Sequence, residues 1–145
     1  MIQYLSKLEE VADAVEAKRG PFALFGLFLR EDSFGQWDLV VSAPWLEEGK
    51  LKALGEFVEI LARVIGQEAM LSFSRVVTLN RDEPALRAIL DEVGEASLPL
   101  SKQGHNLFGL PIEDAYVLRA WRKWPPKERI SRMRVRRRAG RAAPR

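Results

Sequence analysis

The side chains that could do chemistry are few and thinly spread. The 145-residue chain has no cysteine and one histidine, His105. That composition removes disulfide frameworks, thiolate zinc sites and any site built on two imidazoles. A Ser/His triad would rest on His105 alone. Its setting, Ser101-Lys-Gln-Gly-His-Asn106, reads as a polar loop in which no nucleophile or carboxylate is tied to it by spacing. Glu31-Asp32 and Glu47-Glu48 are adjacent carboxylates, but in a turn and at a helix start such pairs face water, and the helix dipole favours the second. The chain contains no phosphate-cradling glycine loop, dinucleotide fingerprint, nucleophile elbow, paired-histidine metal box or calcium loop. No catalytic residue, metal or cofactor is expected.

The other chemistry is charge. Arg119-Ala-Trp121-Arg122-Lys123-Trp124 interleaves cations with indoles, and Arg132, Arg134, Arg136, Arg137 and Arg138 follow. Indole faces stack on bases and each cation can pair with a phosphate, giving salt-dependent, sequence-independent affinity. Three plainer readings compete: Trp121 and Trp124 close the core, the basic segment lies on an acidic protein surface, its own or a partner's, or it is a solvated tail. Residues 1–118 hold 11 Lys+Arg against 19 Asp+Glu, net −8, whereas residues 119–145 hold 12 against one, net +11. The overall +3 therefore hides an acidic body with a basic extension. We expect one domain over 1–124 and an Arg-rich tail over 125–145, introduced by Pro125-Pro126, because like charges at that density repel and little apolar surface offsets the cost of ordering them. The longest early apolar stretch, Phe22 to Leu29, is far short of the ~20 residues that span a bilayer. Met1-Ile2-Gln3-Tyr4 lacks the basic and apolar regions of a signal peptide, so the expected location is cytoplasmic, with no membrane contact. The sequence carries nothing that sets an oligomeric state.

The elements that must position these groups follow from hydrophobic period. Leu5, Leu8, Ala12 and Val15 repeat with helical spacing, and Gly20-Pro21 ends the run, predicting a helix near 2–18. Phe22–Leu29 is apolar at nearly every position, as suits a strand covered on both faces. After a turn at Glu31–Gly35, Trp37–Ser42 alternates, with Trp37, Leu39 and Val41 on one face and Asp38, Val40 and Ser42 on the other, so the two form an antiparallel hairpin. Leu51, Leu54, Val58, Leu61 and Ile65 mark a helix near 46–65. Met70–Asn80 is the third strand, with Leu71, Phe73, Val77 and Leu79 sharing a face and Arg75 in their midst. Asp82 can cap a helix near 83–93 that Gly94 ends. Asn106–Ile112 is a fourth strand, and Asp114–Trp124 fits a strand or a helix equally. The fold class is α+β: a small mixed sheet with an N-proximal hairpin, packed by about three helices.

Leu24-Phe25-Gly26, a variable turn and Trp37-Asp38-Leu39-Val40-Val41, then Arg75-Val-Val-Thr-Leu-Asn80 and Pro84–Gly94, resemble the hairpin, third strand and following helix of the minimal nucleotidyltransferases over residues 21–94. That family carries Gly-Ser on the first strand and Asp-x-Asp on the second. Here the serine position is Leu27, the first aspartate position is Gln36, Asp38 matches the second aspartate, and the third carboxylate position is Arg75. Metal-dependent nucleotidyl transfer needs clustered carboxylates, and one of three cannot hold two ions. The resemblance thus implies a vestigial site at Gly26, Asp38 and Arg75, in which Arg75 pairs with Asp38. We expect a non-catalytic binding protein whose residues 119–145 contact nucleic acid or an acidic protein surface. The alternative is a divergent nucleotidyltransferase-like enzyme with its metal ligands lost or relocated.

Overall fold

The computed structural model describes residues 1–48, 50–93, 100–107 and 110–121, with the backbone alone for 2, 48, 50, 100–107 and 110. The expected tail over 125–145, the candidate residues Arg122, Lys123, Trp124, Arg132, Arg134, Arg136, Arg137 and Arg138, and the helix stop at Gly94 lie outside them. Among the described residues no helix is long and apolar enough to cross a membrane.

The fold is α+β. After a 3-10 turn at Ile2–Tyr4, helix α1 covers Leu5–Arg19. Its end is chemically explicit: Gly20 has φ 117°, a value costly for other residues, and its N–H donates to the Glu16 carbonyl at 2.9 Å. Strands β1 (Leu24–Arg30) and β2 (Trp37–Ser42) form the expected antiparallel hairpin. Helices α2 (Pro44–Glu48), α3 (Lys50–Ile65) and α4 (Gln67–Met70) then lead to β3 (Phe73–Thr78), which runs parallel to β2. Helix α5 (Pro84–Val93) follows, and β4 (Leu100–Leu107) and β5 (Leu110–Ala120) complete a five-stranded sheet in the order β3-β2-β1-β5-β4.

The sheet is buried on two sides. Phe25, Leu27, Trp37, Leu39, Val41 and Leu118 pack against α1 and α3, whereas Leu24, Phe28, Val40, Leu79, Ile112 and Val117 pack with Leu86, Ile89 and Val93 of α5. This is why β1 is apolar at almost every position. Fully burying each such side chain contributes roughly 1.5–3 kcal/mol. An aromatic cluster locks α2 and α3 to the hairpin: Phe22 lies edge-on to Phe25 (5.0 Å), Trp45 (5.2 Å) and Phe57 (5.7 Å), and the Trp45 indole N–H donates to the Gly20 carbonyl.

Several expectations are corrected. The helix expected near 46–65 is described over 44–48 and 50–65. Its buried stripe is Ala53, Phe57, Leu61 and Ile65, so Leu51 is 84% exposed. Residues 67–70 form α4 and β3 starts only at Phe73. The β2–β3 register passes from Trp37↔Phe73 to Asp38↔Arg75, skipping Ser74. This irregularity puts Phe73 with the α1/α3 core while Val77 and Leu79 join the α5 core. Arg75 therefore shares a face with Val77 and Leu79 but not with Phe73, and Leu71 lies in the preceding turn. Asp82 is exposed; it is the Glu83 carboxylate that accepts from the Asn80 N–H (2.7 Å) before α5. The polar segment 101–106 belongs to strand β4, which lies at the edge of the sheet among the described residues, where apolar alternation is not required. Residues 114–120 are strand, and the residues expected as a fourth strand at 106–112 divide between the end of β4, through Leu107, and the start of β5, from Leu110.

Candidate functional site

Asp38 is the second residue of β2 and lies between two strands that each bring it an arginine. On β1, Phe28 is its direct partner and Arg30, two residues on, reaches it diagonally, as next-but-one neighbours on a sheet face can. On β3, Arg75 is its register partner. Arg30 Nε donates to Asp38 Oδ2 at 2.8 Å and Arg30 Nη2 to Oδ1 at 3.5 Å, while Arg75 Nη2 donates to Oδ2 at 3.1 Å. Arg30 Nη1 also meets Asp32 Oδ1 at 2.9 Å. The Asp38 side chain is 2% exposed, Arg30 17% and Arg75 52%. The Arg75–Asp38 pair inferred from the sequence thus forms, but Arg75 sits half in water, because among the described residues β3 is an edge strand.

The turn beside this cluster is tightly braced. The single Ser33 hydroxyl proton lies between the carbonyls of Arg30 (Oγ···O 2.8 Å) and Gln36 (2.7 Å), and Gln36 Nε2 donates to the Leu71 carbonyl at 3.1 Å. Phe34 and Gly35 take φ of 56° and 82° there. These bonds fix the end of β1, and with it Arg30. Hydrogen bonding to Asp38, reinforced by the nearby negative charge and opposed by burial, raises the Arg30 pKa above its ordinary value. Arg30 is therefore a permanent cation.

Of the three vestigial-site residues, the structure joins Asp38 and Arg75 and gives Gly26 another task. A Cβ on Gly26 would come within 2.9 Å of the Phe28 ring, a side chain only 1% exposed. Gly26 makes room for that ring. The donor set does not suit a metal ion, since a divalent cation at Asp38 would have to displace two guanidiniums. Among the described residues no three His, Asp or Glu side chains could hold one together.

At the basic end, Arg119 Nη1 donates to Glu9 (2.7 Å), Nη2 to Asp13 (2.5 Å) and Nε to Glu16 (3.0 Å), all on α1. Burial lowers the Arg119 pKa, but the hydrogen bonds and charges of Glu9 and Glu16 outweigh it and leave the value raised. Trp121 is half-buried, and its backbone N–H donates to the Ala23 carbonyl at 2.9 Å. The backbone of His105 lies in β4 opposite Ile112.

Four participants escaped the sequence analysis. For Arg30 the usable signal is its parity with Phe28, opposite Asp38. For Glu9, Asp13 and Glu16 it is the spacing of four and three, which lets one guanidinium reach all of them. Comparison with protein-family models, with curated proteins and with solved structures finds no match to this chain.

Proposed function

We propose that this is a non-catalytic, cytoplasmic binding protein whose acidic body carries a basic extension, residues 119–145, that engages an anionic partner. The observation behind the non-catalytic reading is Asp38: both of its oxygens are occupied by guanidiniums, where metal-dependent transfer would need free carboxylates. The charge partition, net −8 over 1–118 and +11 over 119–145, supports the partner. Arg119, the first cation of that segment, already rests on three carboxylates of α1, which favours an acidic protein surface over nucleic acid. A salt series tests the reading: full-length protein should bind polyglutamate, with affinity falling steeply between 50 and 200 mM salt. Tight binding to RNA and none to polyglutamate would move the partner to nucleic acid. Binding to neither at low salt would end the proposal.

The second reading is a divergent nucleotidyltransferase-like enzyme. It is favoured by the element order, helix, antiparallel hairpin, helix and a third strand parallel to the second. Calorimetric titration with Mg²⁺ and nucleoside triphosphates discriminates between them. Saturable Mg²⁺-dependent nucleotide binding would support the enzyme and overturn the non-catalytic reading.

A further inference from the structure

The Asp38 cluster contains one buried carboxylate and two guanidiniums, an imbalance that points outward. Asp38 neutralises one charge. Asp32 is 72% exposed, so water screens most of its attraction for Arg30. Arg30 directs Nε and Nη2 to Asp38 and Nη1 to Asp32, so each of its nitrogens has an acceptor. Arg75 differs. Only its Nη2 is bonded, to Asp38; Nε and Nη1 have no acceptor among the described residues, and the side chain is half-exposed on an edge strand. A buried carboxylate therefore holds one corner of a guanidinium while the rest of its fork meets solvent.

We propose that Arg75, oriented by Asp38 and supported by the charge of Arg30, is a binding site for a phosphoryl group. A guanidinium fork matches two oxygens of a phosphate, and charge-assisted bonds of this type are about twice as strong as neutral ones. Holding the arginine in place beforehand removes part of the ordering cost of binding. The excess positive charge favours a phosphate dianion over a singly charged carboxylate. The Ser74 irregularity matters because it brings Arg75, and not Ser74, opposite Asp38. This site lies on β3 and stands independently of the basic extension.

The test uses the full-length protein and reads Arg75 itself, which separates it from the arginines of 119–145. Its Nε–H resonance, assigned by its loss in Arg75→Gln, is followed during titration with inorganic phosphate, with an oligothymidylate lacking terminal phosphates, and with sodium chloride at matched ionic strength. A saturable shift at ~1 mM phosphate, absent with chloride, is the expected result. β3 amide shifts seen in the wild type should need about tenfold more phosphate in Arg75→Lys, which keeps the charge and loses the fork. A response to the oligonucleotide but not to phosphate would assign the group to a phosphodiester backbone. Shifts that merely follow ionic strength, or β3 amide shifts unchanged in Arg75→Gln, would overturn the proposal. Failure of polyglutamate binding would leave this result untouched, and the reverse also holds.

Discussion

Two arginine–carboxylate clusters sit on the sheet with inverted stoichiometry. On the α1 side, one guanidinium, Arg119, is shared by Glu9, Asp13 and Glu16. On the α5 side, one carboxylate, Asp38, is shared by Arg30 and Arg75. The first has excess acid along an open helix face, with Asp13 74% exposed, and water can absorb what the arginine leaves. It works as a clasp between β5 and α1. The second has its minority charge buried, so everything around it depends on Asp38. The difference teaches that the surroundings of the lone partner matter more than the number of ion pairs. A lone partner whose neighbours open to water, as Asp13 does, is expendable, whereas one that is itself buried and holds a largely buried cation organises its neighbours.

The largest effect should come from Asp38→Asn. It leaves Arg30, mostly buried, facing Arg75 with no intervening negative charge. Breaking a buried pair costs about 3–5 kcal/mol, and the half-exposure of Arg75 places this one near the lower end. A loss of roughly 3 kcal/mol corresponds to a Tm fall of about 10 °C in a domain of this size. Arg75→Gln alone should cost far less, and adding it to Asp38→Asn should recover part of the loss, since one of two unpaired cations is then gone. A double-mutant cycle measures that coupling. Strict additivity would mean that Asp38 and Arg75 are neighbours without being partners.

Gly26→Ala comes next. If the glycine is there to make room for Phe28, the added methyl overpacks a closed face and should cost about 1–3 kcal/mol, read as a lower midpoint in urea. Gly26→Ala combined with Phe28→Leu should narrow the gap between glycine and alanine at position 26. A fully tolerated Gly26→Ala would remove the packing explanation and return the glycine to a ligand role.

Much of this architecture was legible because hydrophobic period and turn chemistry are local. The α1 stop at Gly20-Pro21, the 22–42 hairpin and the faces of β2 all read directly. Asp38 and Arg75 could be paired from the sequence once β2 and β3 were taken as neighbours. The rest depends on information that lies between elements. Leu51 fits its helical stripe, yet the contacts made by Phe57 with Phe22 and Phe25 set the rotation of α3 and leave Leu51 in water. Residues 101–106 lack apolar alternation, and β4 is an edge strand among the described residues, so period carries no signal there. Arg119 and α1 are about a hundred residues apart in sequence, and no local pattern joins them.

Arg119→Gln tests the expendable side of the comparison. Three carboxylates would be left along one helix face; Asp13 is already mostly exposed, Glu16 still accepts from the Phe22 N–H, and repulsion between neighbours a turn apart is a few tenths of a kcal/mol. With the lost hydrogen bonds, the cost should be about 1 kcal/mol. Raising salt should shrink it by screening the remaining carboxylates. A loss as large as that of Asp38→Asn would show that the α1 clasp is as critical as the buried cluster, and the contrast between them would fail.

The smallest effect belongs to a third arginine contact, Arg19 on α1 with Glu56 on α3. Both side chains are about one-third exposed, so solvent screens the pair and only a small stabilisation is expected. The hydrogen bond from Arg19, opposed by partial burial and aided by the Arg19 charge, holds the Glu56 carboxyl below its ordinary value of 4.5. A depressed acid favours the folded state while it is ionised there, and this contribution fades as pH falls through the folded value. The Tm of Glu56→Gln should therefore lie slightly below wild type by a constant amount above pH 4.5. The gap should close as the pH drops further, when wild-type Glu56 also becomes neutral. Thermal melts of the two proteins across that range read it directly. A gap that widens in acid would have the wrong sign for a surface clasp, and Glu56 would then have to favour folding in its protonated form.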